Sequence, residues 1–546
     1  MALPLSPATR DSIKNLLICF SLANLCFLRR WYDLEHLKER AMDYYRAGPP
    51  DGTLMEATLI CVLLLTAVFW VGWMWVERKP SPARVKLAQA VFLLACAYPL
   101  ESVRLYWNQD ADHFDVISNV ALIALETVLG MGVVLAIMGN PRIVRAARKA
   151  ALALTLLFPA LMIDFGVNHL SAEPAASFAP KPPLPLLPPR AGPPRRVVWI
   201  VFDELDQRLV FDLRRPEAAI PELDRLRSES LAATHAIQTA PHTTIALPSL
   251  LSGVIYSEVK VESVDGLRVY TPDSRKGMEW RDAPNIFKKA REMGVNAALV
   301  GWHHPYCRVF GDALVRCLDV PSEFTTAALS EADATALGLW GTVGSLFERQ
   351  IQAIDEIVQD NATPTQRSRD VRTQQRQQLQ YFQIRDRAYA DIADKQLDFV
   401  FVHVPVPHPF PLYNRRRGDF TLTPGLDYAD NVALVDRTVG EIRKILVQSG
   451  LWDSTSLVIT SDHGLRPNLW AGRLGWTPEL DRLTGGKQSE LVPVIVKLAG
   501  QERGATYDRQ FSNVVCGDLS LAIVSGQLHS VEDVTAWLNQ RADKSP

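Results

Sequence analysis

The sequence has no excess of basic residues. Its 58 lysines and arginines are balanced by 60 aspartates and glutamates, which gives a formal net charge of −2 at pH 7. A protein that binds nucleic acid needs a cationic surface to neutralise the phosphate backbone. The charge balance therefore excludes nucleic acid as a partner.

Cysteine is scarce as well, with seven in 546 residues. In an oxidising compartment Cys307 and Cys317 could close a short loop by a disulfide, but two unpaired thiols fit the sequence equally well. Cys516 would then be left over and is expected to be buried. The others lie in apolar runs, where a thiol is a small hydrophobic group: Cys19, Cys26, Cys61 and Cys96.

Long apolar runs are concentrated before about residue 170. Five stretches are long enough to cross a hydrocarbon core of roughly 30 Å, so we predict a bundle of about five transmembrane helices. A cleavable signal peptide is the alternative for the first stretch, but Arg29 and Arg30 follow it instead of a small-residue cleavage site. The predicted spans are about 12–28, 54–76, 87–107, 116–138 and 150–170.

The connecting loops predict the orientation of this bundle. Basic residues between Glu77 and Lys86, and between Arg142 and Lys149, are typical of short cytoplasmic loops. Five crossings then deliver the chain beyond residue 170 to the outside. We therefore predict a multi-pass protein of a bacterial-type inner membrane whose C-terminal half is periplasmic. The loop after the first span mixes acids and bases, and we predict an amphipathic helix there with Trp31, Tyr44 and Tyr45 at headgroup level.

A proline-rich segment separates the two halves of the chain. Prolines recur from Pro180 to Pro194, a composition that favours an extended, semi-rigid polyproline II spacer. We therefore predict a transmembrane domain over 1–172, a linker over 173–195 and an extracytoplasmic catalytic domain over 196–546.

The C-terminal half alternates short β-rich runs with helical patterns, which predicts an α/β domain with a mostly parallel central sheet. Each β-rich run ends in residues that can carry chemistry. Ligands bind outside the carboxyl ends of the strands in such sheets, so we expect these side chains to converge. They are Asp203, Glu204, His303, His304, His403, His408, Asp462 and His463.

Several collinear motifs within 197–497 resemble the sulfatase-like branch of the alkaline phosphatase superfamily. The run 197–204 (VVWIVFDE) resembles its opening strand, and 242–253 (HTTIALPSLLSG) resembles its nucleophile segment. The run 457–464 (LVITSDHG) is similar to its metal strand, and 403–409 to its histidine-proline loop. The resemblance implies an alkaline-phosphatase-like catalytic domain.

The nucleophile segment departs from that of true sulfatases. Their Cys/Ser-x-Pro-Ser-Arg context, which yields formylglycine, is absent. Spacing from Gly253 places Thr243 at the nucleophile position, with Thr244 as the alternative. An unmodified threonine is typical of the phospho-transferring branch, so the resemblance favours phosphoryl over sulfuryl chemistry. A bound divalent cation would activate its hydroxyl.

The resemblance also implies roles for the strand-end residues. The predicted metal ligands suit Zn, Mn or Mg: Asp203, Glu204, Thr243, Asp462 and His463, with Glu204 either a ligand or an orienting acceptor. His408 is predicted to be the general acid. His304 and His403 are predicted to bind substrate. Lys487 could replace a lysine that the family carries, or it could be an ordinary solvated lysine.

The predicted membrane anchor decides the substrate class. A helical bundle, a tether and a threonine-type catalytic domain resemble lipoteichoic acid synthases and phosphoethanolamine transferases. This resemblance implies transfer of a phospho-headgroup from a membrane phospholipid to an envelope glycan or lipid acceptor through phosphothreonine. The alternatives are a membrane-anchored hydrolase or phosphodiesterase, in which water resolves the intermediate, and a non-catalytic envelope scaffold.

Overall fold

The structure is a computed structural model. It describes most of the chain from residue 181 to 542, except 191–194, 263–265, 322–337, 360–365 and 423–424. Before residue 181 it describes 6–35, 51–78, 80–89, 141–155 and a few single positions, among them Tyr44.

The described residues form helices in both halves of the chain. In chain order they are α1 (Pro7–Cys26), α2 (Leu28–Glu35), α3 (Asp51–Arg78), α4 (Pro141–Leu154), α5 (Pro221–Ser228), α6 (Thr243–Ser252), α7 (Ile286–Glu292), α8 (Tyr306–Phe310), α9 (Gly338–Gln359), α10 (Gln366–Ala393), α11 (Tyr428–Gln448), α12 (Pro467–Trp470), α13 (Pro478–Thr484), α14 (Cys516–Ser525) and α15 (Val531–Ala542).

In the part of the chain that the structure describes, all strands follow residue 195. They are β1 (Arg196–Asp203), β2 (Leu231–Ala233), β3 (Ala236–Ile237), β4 (Glu258–Val261), β5 (Leu267–Tyr270), β6 (Met278–Glu279), β7 (Ala297–His303), β8 (Arg316–Pro321), β9 (Phe399–Pro407), β10 (Tyr413–Asn414), β11 (Asp419–Phe420), β12 (Thr455–Ser461), β13 (Val494–Lys497), β14 (Ala505–Tyr507) and β15 (Phe511–Ser512).

The chain divides into two compact units. The first comprises 1–39, 49–175 and 337–364, and the second comprises 40–48, 176–336 and 365–546. Helix α9 thus belongs to the first unit, although it follows most of the sheet in sequence. The domain boundaries proposed from composition stay predictions.

Within the described residues, one helix is long and apolar enough to cross a membrane. It covers Gly52–Arg78 and matches the second predicted span. The first predicted span coincides with α1, which is 20 residues long. The spans predicted at 87–107, 116–138 and 150–170 lie largely outside the described residues. A five-helix bundle is therefore still a prediction.

The second unit is built on a mostly parallel eight-stranded sheet, as predicted. Its strand order is β14-β2-β13-β12-β1-β9-β7-β8. The central strand β1 is buried along its whole length and pairs in parallel with β12 and β9, whereas β13 is antiparallel to β12. A continuous apolar strand of this kind needs helices on both of its faces. Trp199 packs with the core that includes α6, α7 and α14, and Ile200 with the core that includes α5, α10 and α11.

The structure tests the predictions made for the cysteines and for the aromatic residues after the first span. Cys307 and Cys317 form a disulfide between α8 and β8, and Cys516 is buried and free. Tyr44, expected at headgroup level, is instead fully buried in the core of the second unit, because its ring and hydroxyl find partners there. Trp31 is likewise buried, in the core of the first unit.

Candidate active site

Two neighbouring strands bring the predicted metal ligands together. Because β1 and β12 are parallel and Phe202 pairs with Ser461, Asp203 and Asp462 leave the sheet side by side. With His463 they form a group whose ligand atoms all lie within 4.8 Å of one another, and all three side chains are buried.

The hydrogen bonds around this group leave lone pairs on one histidine nitrogen and two carboxylate oxygens available to a ligand. The Nδ1 of His463 lies 3.0 Å from the Gly464 carbonyl oxygen, to which it donates, so Nε2 keeps its lone pair. Oδ1 of Asp462 accepts from the backbone N–H groups of Glu204 and His463. The Oδ2 atoms of Asp203 and Asp462 are buried without a hydrogen-bond partner. Buried carboxylate oxygens of this kind need a cation.

The charges of the buried side chains also favour a bound cation. Burial, and then the carboxylates of Asp462 and Glu204, raise the pKa of Asp203 well above its usual value. Three buried carboxylates face one guanidinium, that of Arg466, which leaves two negative charges. A divalent cation would balance them, and two carboxylates with an imidazole and a hydroxyl suit zinc or manganese. The residues present therefore fit the predicted metal.

Thr243 joins this group, whereas Thr244 does not. Thr243 is the first residue of α6, and its Oγ1 lies 3.1 Å from Nε2 of His463 and 3.4 Å from Oδ1 of Asp203. The hydroxyl of Thr244 lies instead 3.2 Å from Nε2 of His303. Of the two threonines that the spacing argument left open, the geometry favours Thr243 as the nucleophile.

The carboxylate of Glu204 contacts residues outside the metal group. Its carboxylate accepts from Arg466 and from Nε1 of Trp470, and its backbone carbonyl accepts from the Tyr428 hydroxyl. Its own N–H donates to Asp462, and its backbone has a positive φ of 61°. Glu204 thus has the contacts of an orienting acceptor, one of the two roles considered from the sequence.

The loop that carries His408 is held by buried amides. Nε2 of Gln377 donates to the carbonyls of Pro405 and His408, and Nδ2 of Asn431 donates to that of His408. Burial, and then the charge of Arg466, lower the pKa of His408 well below its usual value. Its Nδ1 lies 3.2 Å from the Pro409 carbonyl oxygen, so the neutral ring leaves Nε2 as an acceptor. The free enzyme therefore holds His408 as a base, and the predicted acid role requires a bound anion.

The two histidines predicted to bind substrate are buried. His403 makes contacts at Nδ1 with the Tyr306 hydroxyl and the Trp302 carbonyl, and burial lowers its pKa to about 4. His304 contacts the Tyr44 hydroxyl through Nδ1 and the Thr243 carbonyl through Nε2. Both ring nitrogens of His304 thus contact protein atoms. A substrate-binding role for this residue therefore rests on the resemblance alone.

The cation of the site is an arginine that the sequence analysis did not single out. Lys487 is exposed, whereas the side chain of Arg466 is only 13% exposed and pairs with Glu204. Its charge lowers the pKa of both His463 and His408 after the larger effect of burial. No local signal marked this residue, because its role depends on Glu204, which lies 262 residues away in the sequence.

Comparison with known proteins identifies the family. The sequence model of type I phosphodiesterases / nucleotide pyrophosphatases matches residues 197–474, just over half of the chain. The chain belongs to this family, and the predictions that it is an enzyme and a member of the alkaline phosphatase superfamily are confirmed. A search of curated proteins gives no match.

Solved structures of similar fold include sulfatases and a synthase. A sulfatase from Pseudoalteromonas sp. is 15% identical, with 61% of this chain and 68% of that chain covered and a TM-score of 0.39. The lipoteichoic acid synthase LtaP from Listeria monocytogenes is 13% identical, with 61% and 72% covered and a TM-score of 0.37. A phosphonate monoester hydrolase of Agrobacterium radiobacter is 15% identical, with 61% and 77% covered and a TM-score of 0.34.

Replacement of one carboxylate should have opposite effects on stability with and without metal. The pKa of Asp203 in the metal-free fold lies above its unfolded value, so the fold holds a proton that the unfolded chain releases, and stability falls as the pH rises through that window. In EDTA at pH 8, Asp203→Asn should therefore raise the melting temperature. Mn²⁺ at about 100 times its Kd should add about 2.7 kcal/mol to the wild type and much less to the variant.

The exposed Asp312 provides the control, because Asp312→Asn should respond to Mn²⁺ as the wild type does. Equal stabilisation of Asp203→Asn and the wild type by Mn²⁺ would show that Asp203 is not a ligand.

Proposed function

We propose that this enzyme is a membrane-anchored phosphotransferase. It moves a phospho-headgroup from a membrane phospholipid to an envelope glycan or lipid acceptor through a phosphothreonine at Thr243. The observation that carries the proposal is the position of the Thr243 hydroxyl, at the N-terminus of α6 and beside Asp203 and His463. Membership of a phosphodiesterase family supports phosphoryl rather than sulfuryl chemistry.

The residues of the site divide the work between them. Asp203, Asp462, His463 and Thr243 would hold a divalent cation, which when bound lowers the pKa of the threonine hydroxyl and offsets phosphoryl charge. Thr243 Oγ, its proton lost to solvent, attacks phosphorus, and the phosphorus bond to the diacylglycerol oxygen breaks. The positive N-terminus of α6 and the Arg466 guanidinium stabilise the equatorial oxygens.

His408 transfers the proton in both halves of the reaction. The bound phosphodiester carries a negative charge that raises the pKa of His408, so the imidazolium can protonate the departing diacylglycerol oxygen. The neutral imidazole then takes the proton of the acceptor hydroxyl as that oxygen attacks the phosphothreonine. Thr243 leaves and is ready for the next cycle. Each proton that His408 gives in the first half is recovered in the second.

Two features of the chain support a membrane location with an external active site. The exposed residues of α3 are largely apolar, among them Leu63, Val68 and Val71. The Cys307–Cys317 disulfide is typical of oxidising compartments outside the cytoplasm.

The family also favours a second candidate function, a membrane-anchored phosphodiesterase in which water resolves the phosphothreonine. The two functions differ in their products. A transferase releases diacylglycerol together with labelled acceptor, whereas a hydrolase releases diacylglycerol and the free phospho-headgroup. A non-catalytic scaffold is set aside, because the chain belongs to an enzyme family.

Replacing each threonine by alanine in turn should show which of the two is the nucleophile. Thr243→Ala should lower phosphodiester turnover by about a thousandfold or more, because it removes the attacking oxygen. Thr244→Ala should stay near wild-type turnover and is the matched control. His408→Ala should cost roughly a hundredfold, as for a positioned proton donor. Steady-state kinetics with radiolabelled phospholipid measure all three, and full activity of Thr243→Ala would contradict the proposal.

Reporter fusions should test the membrane location. Alkaline phosphatase fused after Pro194 should be active, because that position is predicted to be periplasmic, whereas fusions at Pro80 or Arg145 should be inactive. Activity of the fusion at Arg145 would overturn the predicted orientation without affecting the chemistry of the site.

A further inference from the structure

Tyr44 lies 152 residues before β1 in sequence, yet it belongs to the core of the second unit. Its side chain is fully buried. Its backbone carbonyl accepts a hydrogen bond of 3.0 Å from Nη2 of the buried Arg308. Its ring packs edge-on against that of His304, with centroids 5.8 Å apart. Nothing in the family match, which begins at Val197, includes this residue.

The hydroxyl of Tyr44 is connected to the nucleophile through one histidine. It lies 3.1 Å from Nδ1 of His304, and the opposite ring nitrogen, Nε2, lies 3.4 Å from the carbonyl oxygen of Thr243. A carbonyl oxygen can only accept, so Nε2 must carry the hydrogen. In a neutral imidazole Nδ1 is then the acceptor, and the Tyr44 hydroxyl must be the donor.

The Thr243 carbonyl therefore sets the tautomer of His304, and the Tyr44 hydroxyl stabilises that tautomer by donating to Nδ1. The carbonyl that His304 binds belongs to the peptide joining Thr243 to Thr244, in the first turn of α6. A fixed donor on that carbonyl restricts rotation of the peptide plane and hence the direction of the Thr243 side chain. Trp280 also packs against the His304 ring, with centroids 5.0 Å apart, so the ring itself is held in place.

We propose that Tyr44 is a positioning residue for the nucleophile: by donating to Nδ1 of His304 it stabilises the tautomer whose Nε2–H anchors the Thr243 main chain. This inference rests on the proposed function, because it takes Thr243 as the nucleophile. It makes a residue from the segment before α3 part of the catalytic apparatus, so a truncated second unit beginning at residue 176 would lack it.

The test compares conservative variants of the full chain in detergent with Mn²⁺ and bis(p-nitrophenyl) phosphate as substrate. Tyr44→Phe removes only the hydroxyl and should lower kcat about fivefold, the effect of about 1 kcal/mol for one net hydrogen bond, with KM unchanged. Tyr381→Phe is the matched control, because Tyr381 is equally buried and its hydroxyl bonds Thr438 remote from the site. That variant should lose stability but keep its kcat.

A double variant distinguishes positioning from packing. His304→Leu removes both ring nitrogens, so the Tyr44 hydroxyl loses its partner, and adding Tyr44→Phe should cause no further loss of kcat. Additive losses, or equal kcat values for Tyr44→Phe and Tyr381→Phe, would overturn the inference.

A spectroscopic readout separates this inference from the proposed function. In full-length protein labelled with 15N-histidine, His304 should show a protonated Nε2 and an unprotonated Nδ1, and Tyr44→Phe should change that pattern. If the wild type lacks phosphodiester turnover while the pattern is as described, the proposed function fails and the tautomer assignment stands. A protonated Nδ1 in the wild type would contradict the assignment whatever the activity.

Discussion

The site depends on the parallel pairing of β1 with β12. This pairing sets two carboxylates, those of Asp203 and Asp462, side by side at the buried carboxyl end of the sheet. Their mutual repulsion and their burial disfavour two negative charges at this position. A bound cation would balance these charges, and the histidine and threonine beside them could bind the same ion. The juxtaposition of the two proposed carboxylate ligands follows from this register.

Hydrogen bonds and an ion pair from surrounding residues hold the side chains of the site in place. Asp462 is held by two backbone N–H groups, and Glu204 directs Arg466 along one side of the group. Buried amides of Gln377 and Asn431 hold the carbonyls of the His408 loop. Preorganised donors of this kind need not rearrange during the reaction, which is how polar sites stabilise developing charge.

Much of this arrangement was predictable because it follows chain order. The buried strands, their polar ends and the position of Thr243 relative to Gly253 are local features, and the structure brings Asp203, Asp462, His463 and Thr243 together as predicted. Contacts across long sequence separations were not predictable. Arg466 resembles any loop arginine until Glu204 is placed beside it, and Tyr44 has the composition of an interfacial residue until its partner 260 residues away is known.

The phosphothreonine intermediate connects the geometry of the site to the proposed function, and mass spectrometry can detect it. A rapid-quench reaction of the full-length protein with excess phospholipid, followed by proteolysis and mass spectrometry, should give the Thr243 peptide heavier by a phospho-headgroup. The adduct should be absent in EDTA, because the site would lack its cation. Its mass would identify the transferred group. An unmodified Thr243 peptide during active turnover, or an adduct carried by Thr244, would contradict the assignment of Thr243 as the attacking residue.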